Sequence, residues 1–292
     1  MKINIVNLDK DKWILTKFAK NLKRELLNLG HHAEINKKPK DNFDINHYII
    51  FLFLKDKRGY FPSNTINTVM LTHVNDTFRY NKIKETSRFM DAGIAMSEHH
   101  ANFIFKKKLG LKKIYFALPA HDNDLDLKKI HLGIFSNLYN DGRKNENKLE
   151  EVLLTKNSKL FKLSIIGKGW GPIVKKLKLN GIEVNYQRFF FRRRYLKELK
   201  KIDYLIYLGS DEGSMSFLDA IQMGIKTIMI PQGFQYDLKK FITFKLENEL
   251  GNLNATIDKI FSEKNKYLKS LENLSWKNYA LKHVEIWKKL IK

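Results

Sequence analysis

The chain has 292 residues, 43% of them apolar, enough to bury a sizeable core in one large or two medium domains. It contains no cysteine, which excludes disulfides, thiolate zinc sites and a cysteine nucleophile and fits a reducing, intracellular setting. The formal net charge of +23 points to anionic partners, but lysine and asparagine are spread along the whole chain, which argues for a solvated basic surface rather than a nucleic-acid groove.

In chain order, the opening Met1 to Asn7 has too short an apolar run for a signal peptide, and Ile3–Val6 reads as a strand. Trp13 to Leu29 is an amphipathic helix with Gly30 as its stop, completing a βα unit. Strands follow at Tyr48 to Leu54, Thr68 to His73, Ala92 to Ser97 and Lys113 to Ala117, with helices over Asn81 to Met90 and His99 to Leu109. The run from Tyr48 to Leu54 is the longest apolar stretch and falls far short of the ~20 residues that span a bilayer, so the protein is expected to be soluble or peripheral and cytoplasmic.

Polar residues from Pro119 to Asp126 suit a linker, after which the pattern restarts with His131 to Phe135. A helix near Lys148 to Leu154, a strand Lys162 to Ile166, a helix Ile173 to Leu179 and a strand Val184 to Tyr186 come next. Then come a helix Leu196 to Lys200, a strand Tyr204 to Leu208, a helix Phe217 to Met223, a strand Thr227 to Ile230 and a C-terminal helix from Leu271 to Ile291. Alternating β and α segments predict two Rossmann-like parallel-sheet domains, residues 1–120 and 131–270, joined by a linker at 121–130. Residues 271–292 form a C-terminal helix expected to pack back on the first domain.

The most informative segment is Ser210-Asp211-Glu212-Gly213-Ser214-Met215-Ser216, which leaves the strand Tyr204 to Leu208 and is followed by Asp219 within the next helix. Two acids, a glycine and two serines in a strand-to-helix turn form a ligand-facing arrangement, because ligands of open α/β sheets sit beyond the carboxyl ends of the strands, where helix N-termini meet anions. Helix-capping acids are the plainer alternative.

Asp211 and Asp219, separated by seven residues and followed by Ala220 to Thr227, resemble the acidic signature of retaining GT-B-fold glycosyltransferases of family 4. Both acids are usually glutamate there; Glu212-Gly213 keeps that chemistry but shortens the spacing, so Asp211 and Glu212 both stand as candidates for the first acid. The loop at Arg143-Lys144 and the turn Gly167-Lys168-Gly169 are similar to the family's first two C-domain loops, and the glycines there allow close backbone approach.

The resemblance implies a GT-B-like fold with two domains facing a cleft, and a hexosyltransferase-like enzyme that uses a UDP- or GDP-linked sugar without metal. Arg143 and Lys144, with Lys148 as an alternative, would hold the donor diphosphate; Gly167, Gly169, Gly213 and Ser214 would line the donor; Asp211 or Glu212 would address the sugar and Asp219 the ribose. His73, at the end of a predicted strand, is a candidate for positioning sugar hydroxyls or the acceptor, and His47 a second one.

No metal ligand set is expected: His31-His32 and His99-His100 are adjacent rather than on one face, and the Asp-x-Asp pattern in Asp122 to Asp126 falls in the predicted linker as a solvated turn. The basic cluster Arg188 and Arg192-Arg193-Arg194, interleaved with Phe189-Phe190-Phe191 and Tyr195, favours an anionic membrane surface over nucleic acid. The acceptor is accordingly expected to be a glycan or glycolipid of cell-surface synthesis. A non-catalytic nucleotide or polyanion binder, and a sugar epimerase of the same architecture, are the alternatives.

Overall fold

The computed structural model describes residues 1–9, 13–52, 54, 61–72, 74–122, 126–247 and 250–292. It divides into two compact units, Met1–Leu125 with Ser270–Lys292, and Asp126–Lys269.

The first unit is built on a six-stranded parallel sheet: β1 (Lys2–Val6), β2 (His32–Asn36), β3 (Ile45–Tyr48), β4 (Ile66–Leu71), β5 (Ala92–Ala95) and β6 (Ile114–Phe116), in the order β2-β1-β3-β4-β5-β6. Three helices connect them: α1 (Ile14–Asn28), α2 (Thr77–Ser87) and α3 (Glu98–Lys106). Alternate strand residues enter opposite layers, as the two-residue pleat requires. Ile3, Ile5, Met70 and Ile94 pack beneath α1 and the C-terminal helix Trp276–Ile291, while Val6, Val69, Leu71 and Ala95 pack with Ile83 of α2 and Ile104 of α3.

Helix α1 buries Phe18, Ala19, Leu22 and Leu26, a stripe one face wide. Asp76 caps α2 and Ser97 caps α3, each side chain accepting the amide of the residue three positions on.

Two expected elements shift. The third strand is Ile45–Tyr48 rather than Tyr48 to Leu54, because β1 pairs Ile3 with Ile45 and Val6 with Tyr48. Its polar members are satisfied inside the sheet: Asn46 donates to Thr65 and accepts from Asn4 at 2.8 Å, and a His47 ring nitrogen bonds Thr68 at 3.0 Å. The expected single C-terminal helix is two, broken at Ser275, whose hydroxyl accepts the Asn278 amide at 3.2 Å.

The second unit has a six-stranded parallel sheet: β7 (Ile130–Phe135), β8 (Phe161–Ile166), β9 (Glu183–Gln187), β10 (Tyr204–Tyr207), β11 (Lys226–Met229) and β12 (Phe244–Lys245), ordered β12-β11-β10-β7-β8-β9. Its helices are α4 (Glu146–Leu154), α5 (Gly171–Leu179), α6 (Arg192–Leu199), α7 (Met215–Met223) and α8 (Leu253–Asn273), and the C-terminal helix is α9 (Trp276–Ile291). The chain runs outward from β7 to β9 and then reverses through β10, so the loops after β7 and β10 diverge at a topological switch point, where open α/β sheets bind ligands. Helix α9 packs on α1 with Trp276, Tyr279, His283 and Trp287 buried. No helix among the described residues is long and apolar enough to cross a membrane.

Candidate active site

A pocket of about 280 Å³ opens at the switch point of the second unit. The end of β7 contributes Phe135, Ser136 and Asn137, the end of β8 Ile166 and Gly167, and the loop after β9 Phe190. Arg192 and Tyr195 of α6, Ser214 and the first turns of α7 through Asp219 close it. Two larger hollows, of about 590 and 410 Å³, lie at the opposite, amino ends of the strands, around Thr65 to Asn67 and around Ile130, Tyr204 and Lys226. The smaller pocket is favoured because parallel sheets present loops and helix N-termini at the carboxyl end.

The turns after β7 and β8 are locked together. Lys168 donates its amide to the Asn137 side chain at 2.8 Å, Leu138 donates its amide to the Lys168 carbonyl at 2.9 Å, and Trp170 Nε1 donates to the Ser136 carbonyl at 2.7 Å. Gly167 has φ +147°, and a Cβ there would run into the Ser136 carbonyl, so glycine is demanded by this backbone packing as well as by the pocket it lines. Gly169 sits against Leu138, outside the pocket lining.

The loops after β7 and β10 are joined by a buried strut. The Lys144 ammonium, only 7% exposed, pairs with the Asp211 carboxylate, and the Tyr207 hydroxyl donates to the same carboxylate. Lys144 also donates to Tyr207 at 3.0 Å, and the Gly213 amide donates to Asp211 at 3.2 Å. Burial alone would raise the Asp211 pKa, but Lys144 and Tyr207 outweigh it and hold the acid below its ordinary value. The same burial and the Asp211 carboxylate push the Tyr207 phenol up. Asn145 donates to the Leu208 carbonyl at 2.7 Å, and the Ser210 amide to the Arg143 carbonyl at 2.8 Å, completing the tie. Gly213, at φ +105°, carries the chain past the Phe234 ring toward α7.

The other expected residues fall into distinct environments. Arg143 is exposed, bonds Asp141 through Nε at 2.6 Å and lies over the Tyr139 ring. Lys148 pairs with Glu151 on the solvent side of α4. Glu212 is exposed, and among the described residues its carboxylate makes no hydrogen bond or ion pair. Ser214 is buried at the N-cap of α7, where its hydroxyl bonds that of Ser216 at 2.6 Å instead of capping the helix, which leaves the first amides of α7 without a side-chain acceptor.

Asp219 faces the pocket and is held by Arg192 at 2.8 and 3.3 Å and by the Tyr195 hydroxyl at 2.7 Å. Arg192 keeps its pKa low despite partial burial. The structure thus gathers Gly167, Ser214 and Asp219 around one pocket, while Asp211 and Lys144 stay outside its lining and tie the loops after β7 and β10 together.

His73 lies outside the described residues. His47 does not reach a surface: it is fully buried under α9, against His283 and Trp287, and burial and His283 push its pKa well down. Asp122, expected in a solvated turn, pairs with Lys17 and accepts from Trp276 Nε1 at 3.2 Å. No group of three or more His, Cys, Asp or Glu among the described residues is placed to hold a metal.

Sequence reasoning placed Ser216 in the ligand-facing turn but missed Asn137, Arg192 and Tyr195 as pocket residues. Arg192 and Tyr195 are three apart on α6 and carried a signal as an i,i+3 pair beyond a strand, but the arginine run around them reads as surface charge.

No protein-family model matches the chain, and no curated protein matches it in sequence. Solved structures resemble it in architecture. A lipopolysaccharide outer core galactosyltransferase, WaaB, in its apo form is 15% identical over 99% of this chain and 100% of its own, with a TM-score of 0.40. HepE of Anabaena, in complex with UDP and glucose, is 13% identical over 99% and 100%, with a TM-score of 0.41. A glycosyltransferase from Rickettsia africae is 13% identical over 99% and 98%, with a TM-score of 0.37. Likenesses of this size carry no argument about activity.

Chemically, the pocket offers helix-terminal amides and hydroxyls to an anion, paired acceptors on Asp219 to vicinal hydroxyls, and the Arg192 guanidinium and Phe190 ring at its rim.

Proposed function

We propose that the chain is a metal-independent glycosyltransferase that moves a sugar from a UDP- or GDP-linked donor to a hydroxyl acceptor with retention of configuration, in cell-surface glycan or glycolipid synthesis. The observation that carries this reading is the pocket at the switch point, where the uncapped start of α7, Ser214, Ser216 and Asp219 face the ends of β7 and β8. The first amides of α7 and the serine hydroxyls take the donor diphosphate, and the exposed Arg143 adds a cation. Asp219 takes the ribose hydroxyls, exchanging part of its bond to Arg192.

Asp211 is occupied by Lys144 and Tyr207, so Glu212 is assigned as the carboxylate that addresses the transferred sugar, with Lys144 and Asp211 positioning its loop. In the reaction the bond between the anomeric carbon and the diphosphate breaks, the acceptor oxygen bonds that carbon from the same face, and the acceptor proton passes to the leaving phosphate oxygen. The helix terminus and Arg143 stabilise the charge left on the diphosphate.

The test is thermal stability against a panel of nucleoside diphosphates and nucleotide sugars, followed by slow hydrolysis of the best donor. UDP or GDP raises the melting temperature, and Glu212→Gln keeps that shift while abolishing hydrolysis. Absence of a shift with every nucleoside diphosphate rejects the proposal. The pairing of both Asp211 and Asp219 with cations favours a second reading, a non-catalytic nucleotide binder, which the panel identifies as a shift without turnover.

A further inference from the structure

Seven consecutive residues of the second unit, Arg188-Phe189-Phe190-Phe191-Arg192-Arg193-Arg194, are all exposed and consist only of arginine and phenylalanine. They leave the carboxyl end of β9 and form the first turn of α6. The three rings are 53%, 59% and 55% exposed, a large solvent-facing apolar surface for adjacent residues with no ring inserted into a core. Met215, 69% exposed, lines the same pocket as Phe190 and extends the apolar surface.

The cations surround the rings. The Arg188 guanidinium lies 5.4 Å from the Phe189 centroid, Arg194 lies 5.3 Å from that of Phe191, and Lys168 is 6.0 Å from Phe189. Of the four arginines, Arg192 is paired with Asp219, whereas Arg188, Arg193 and Arg194 have no acidic partner among the described residues.

We infer that this loop docks the protein on an anionic lipid bilayer, with Phe189 and Phe191 entering the headgroup boundary and Arg188, Arg193 and Arg194 contacting lipid phosphates. The chemistry fits that one occupant: an interfacial surface needs apolar rings at the centre and unpaired cations at the edge, and cation–π contacts hold both groups in place before binding. A second copy of the chain would set the same three free guanidinium groups against each other. The charge of +23 adds long-range attraction to an anionic surface. Docking holds the mouth of the pocket, of which Phe190 is part, next to the lipid surface. The inference stands whether or not the pocket transfers sugar, since its test involves no nucleotide.

The test is co-sedimentation of the full chain with vesicles of pure phosphatidylcholine and with vesicles that also carry phosphatidylglycerol. The protein is expected on the anionic vesicles only. Replacing Arg188, Arg193 and Arg194 together by glutamine weakens partitioning about fivefold per residue and roughly 100-fold in total. The double variant Phe189→Ser/Phe191→Ser weakens it at least about tenfold while retaining its dependence on lipid charge. Both variants keep the wild-type melting temperature, because all five side chains are exposed. Binding indifferent to lipid charge, no vesicle binding, or variants that partition like the wild type overturn the inference. So does salt-dependent binding to single-stranded RNA without vesicle binding, the outcome expected if the rings stack on bases.

Discussion

Replacing Lys144 by methionine tests the strut between the loops after β7 and β10. The ammonium is 7% exposed and the Asp211 carboxylate 25%, so the variant leaves a largely desolvated carboxylate with the Tyr207 hydroxyl and the Gly213 amide as its remaining donors. Breaking a fully buried pair costs about 3–5 kcal/mol; discounted for the exposed quarter of Asp211, the expected cost is about 2 kcal/mol. In a unit of this size that corresponds to a melting temperature lower by about 4–8 °C.

Two units in one chain need not unfold together, so the assay is urea denaturation followed by 19F NMR of 5-fluorotryptophan. Trp170 reports the second unit, while Trp13, Trp276 and Trp287 lie in the first. The folded Asp211 pKa is depressed, so the strut's contribution is fully present above about pH 4 and is lost as the pH falls through the lower folded value. Lys144→Met therefore flattens the acid limb of the Trp170 transition. A cost under about 0.5 kcal/mol, or full additivity of Lys144→Met with Asp211→Asn, refutes the strut.

Three further outcomes are expected. His283 is fully buried with its pKa lowered to about 4, so the unfolded chain binds its proton first, and this residue takes roughly 3 kcal/mol from the first unit as the pH falls from about 6.5 to about 4, in addition to the buried His47, whose lowered pKa acts in the same direction; in His283→Leu, urea melts compared at the two ends of that range differ by about that much less than in the parent chain. Gly167→Ala drives a methyl group into the Ser136 carbonyl and costs more than about 2 kcal/mol, whereas Gly142→Ala, at φ +71° with open space around it, costs about 1 kcal/mol, so thermal melts of the two separate clash from backbone strain. Arg192→Gln removes an ion pair whose arginine is 58% exposed, so the unliganded melting temperature changes by the equivalent of less than about 1 kcal/mol, and a nucleotide-induced shift that changes as little as that rejects a place for Arg192 in the pocket.

The alternation of strands and helices was legible because both faces of each sheet are covered, so strands such as Ile130–Phe135 and helices such as Ile14–Asn28 carry their apolar residues at the expected spacing. Elements built from polar residues escaped. β2 (His32–Asn36) and the His47 part of β3 are strands in which polar side chains bond within the sheet, Asn36 to Asn4 and His47 to Thr68, while the apolar residues Ile49 to Leu52 lie past the end of β3.

At the site, spacing identified the turn at Asp211 to Asp219 but not which acid is free. Asp211 and Lys144 are 67 residues apart, and nothing local marks them as partners. Arg192 was hidden by its neighbours, since one arginine in a basic run looks like the rest until a facing aspartate singles it out.

The first unit is closed by a helix synthesised long after its sheet. Residues Asp126–Lys269, 144 of them, are made between the last strand of that sheet and α9, which supplies Trp276, Tyr279, His283 and Trp287 to its core. At about 5–20 residues per second this leaves the α1 face of β1 and β4 without α9 for roughly 7–30 s during translation, while the second unit is already free to fold. The amino-terminal unit, though its sheet is made first, is thus the last to be completed.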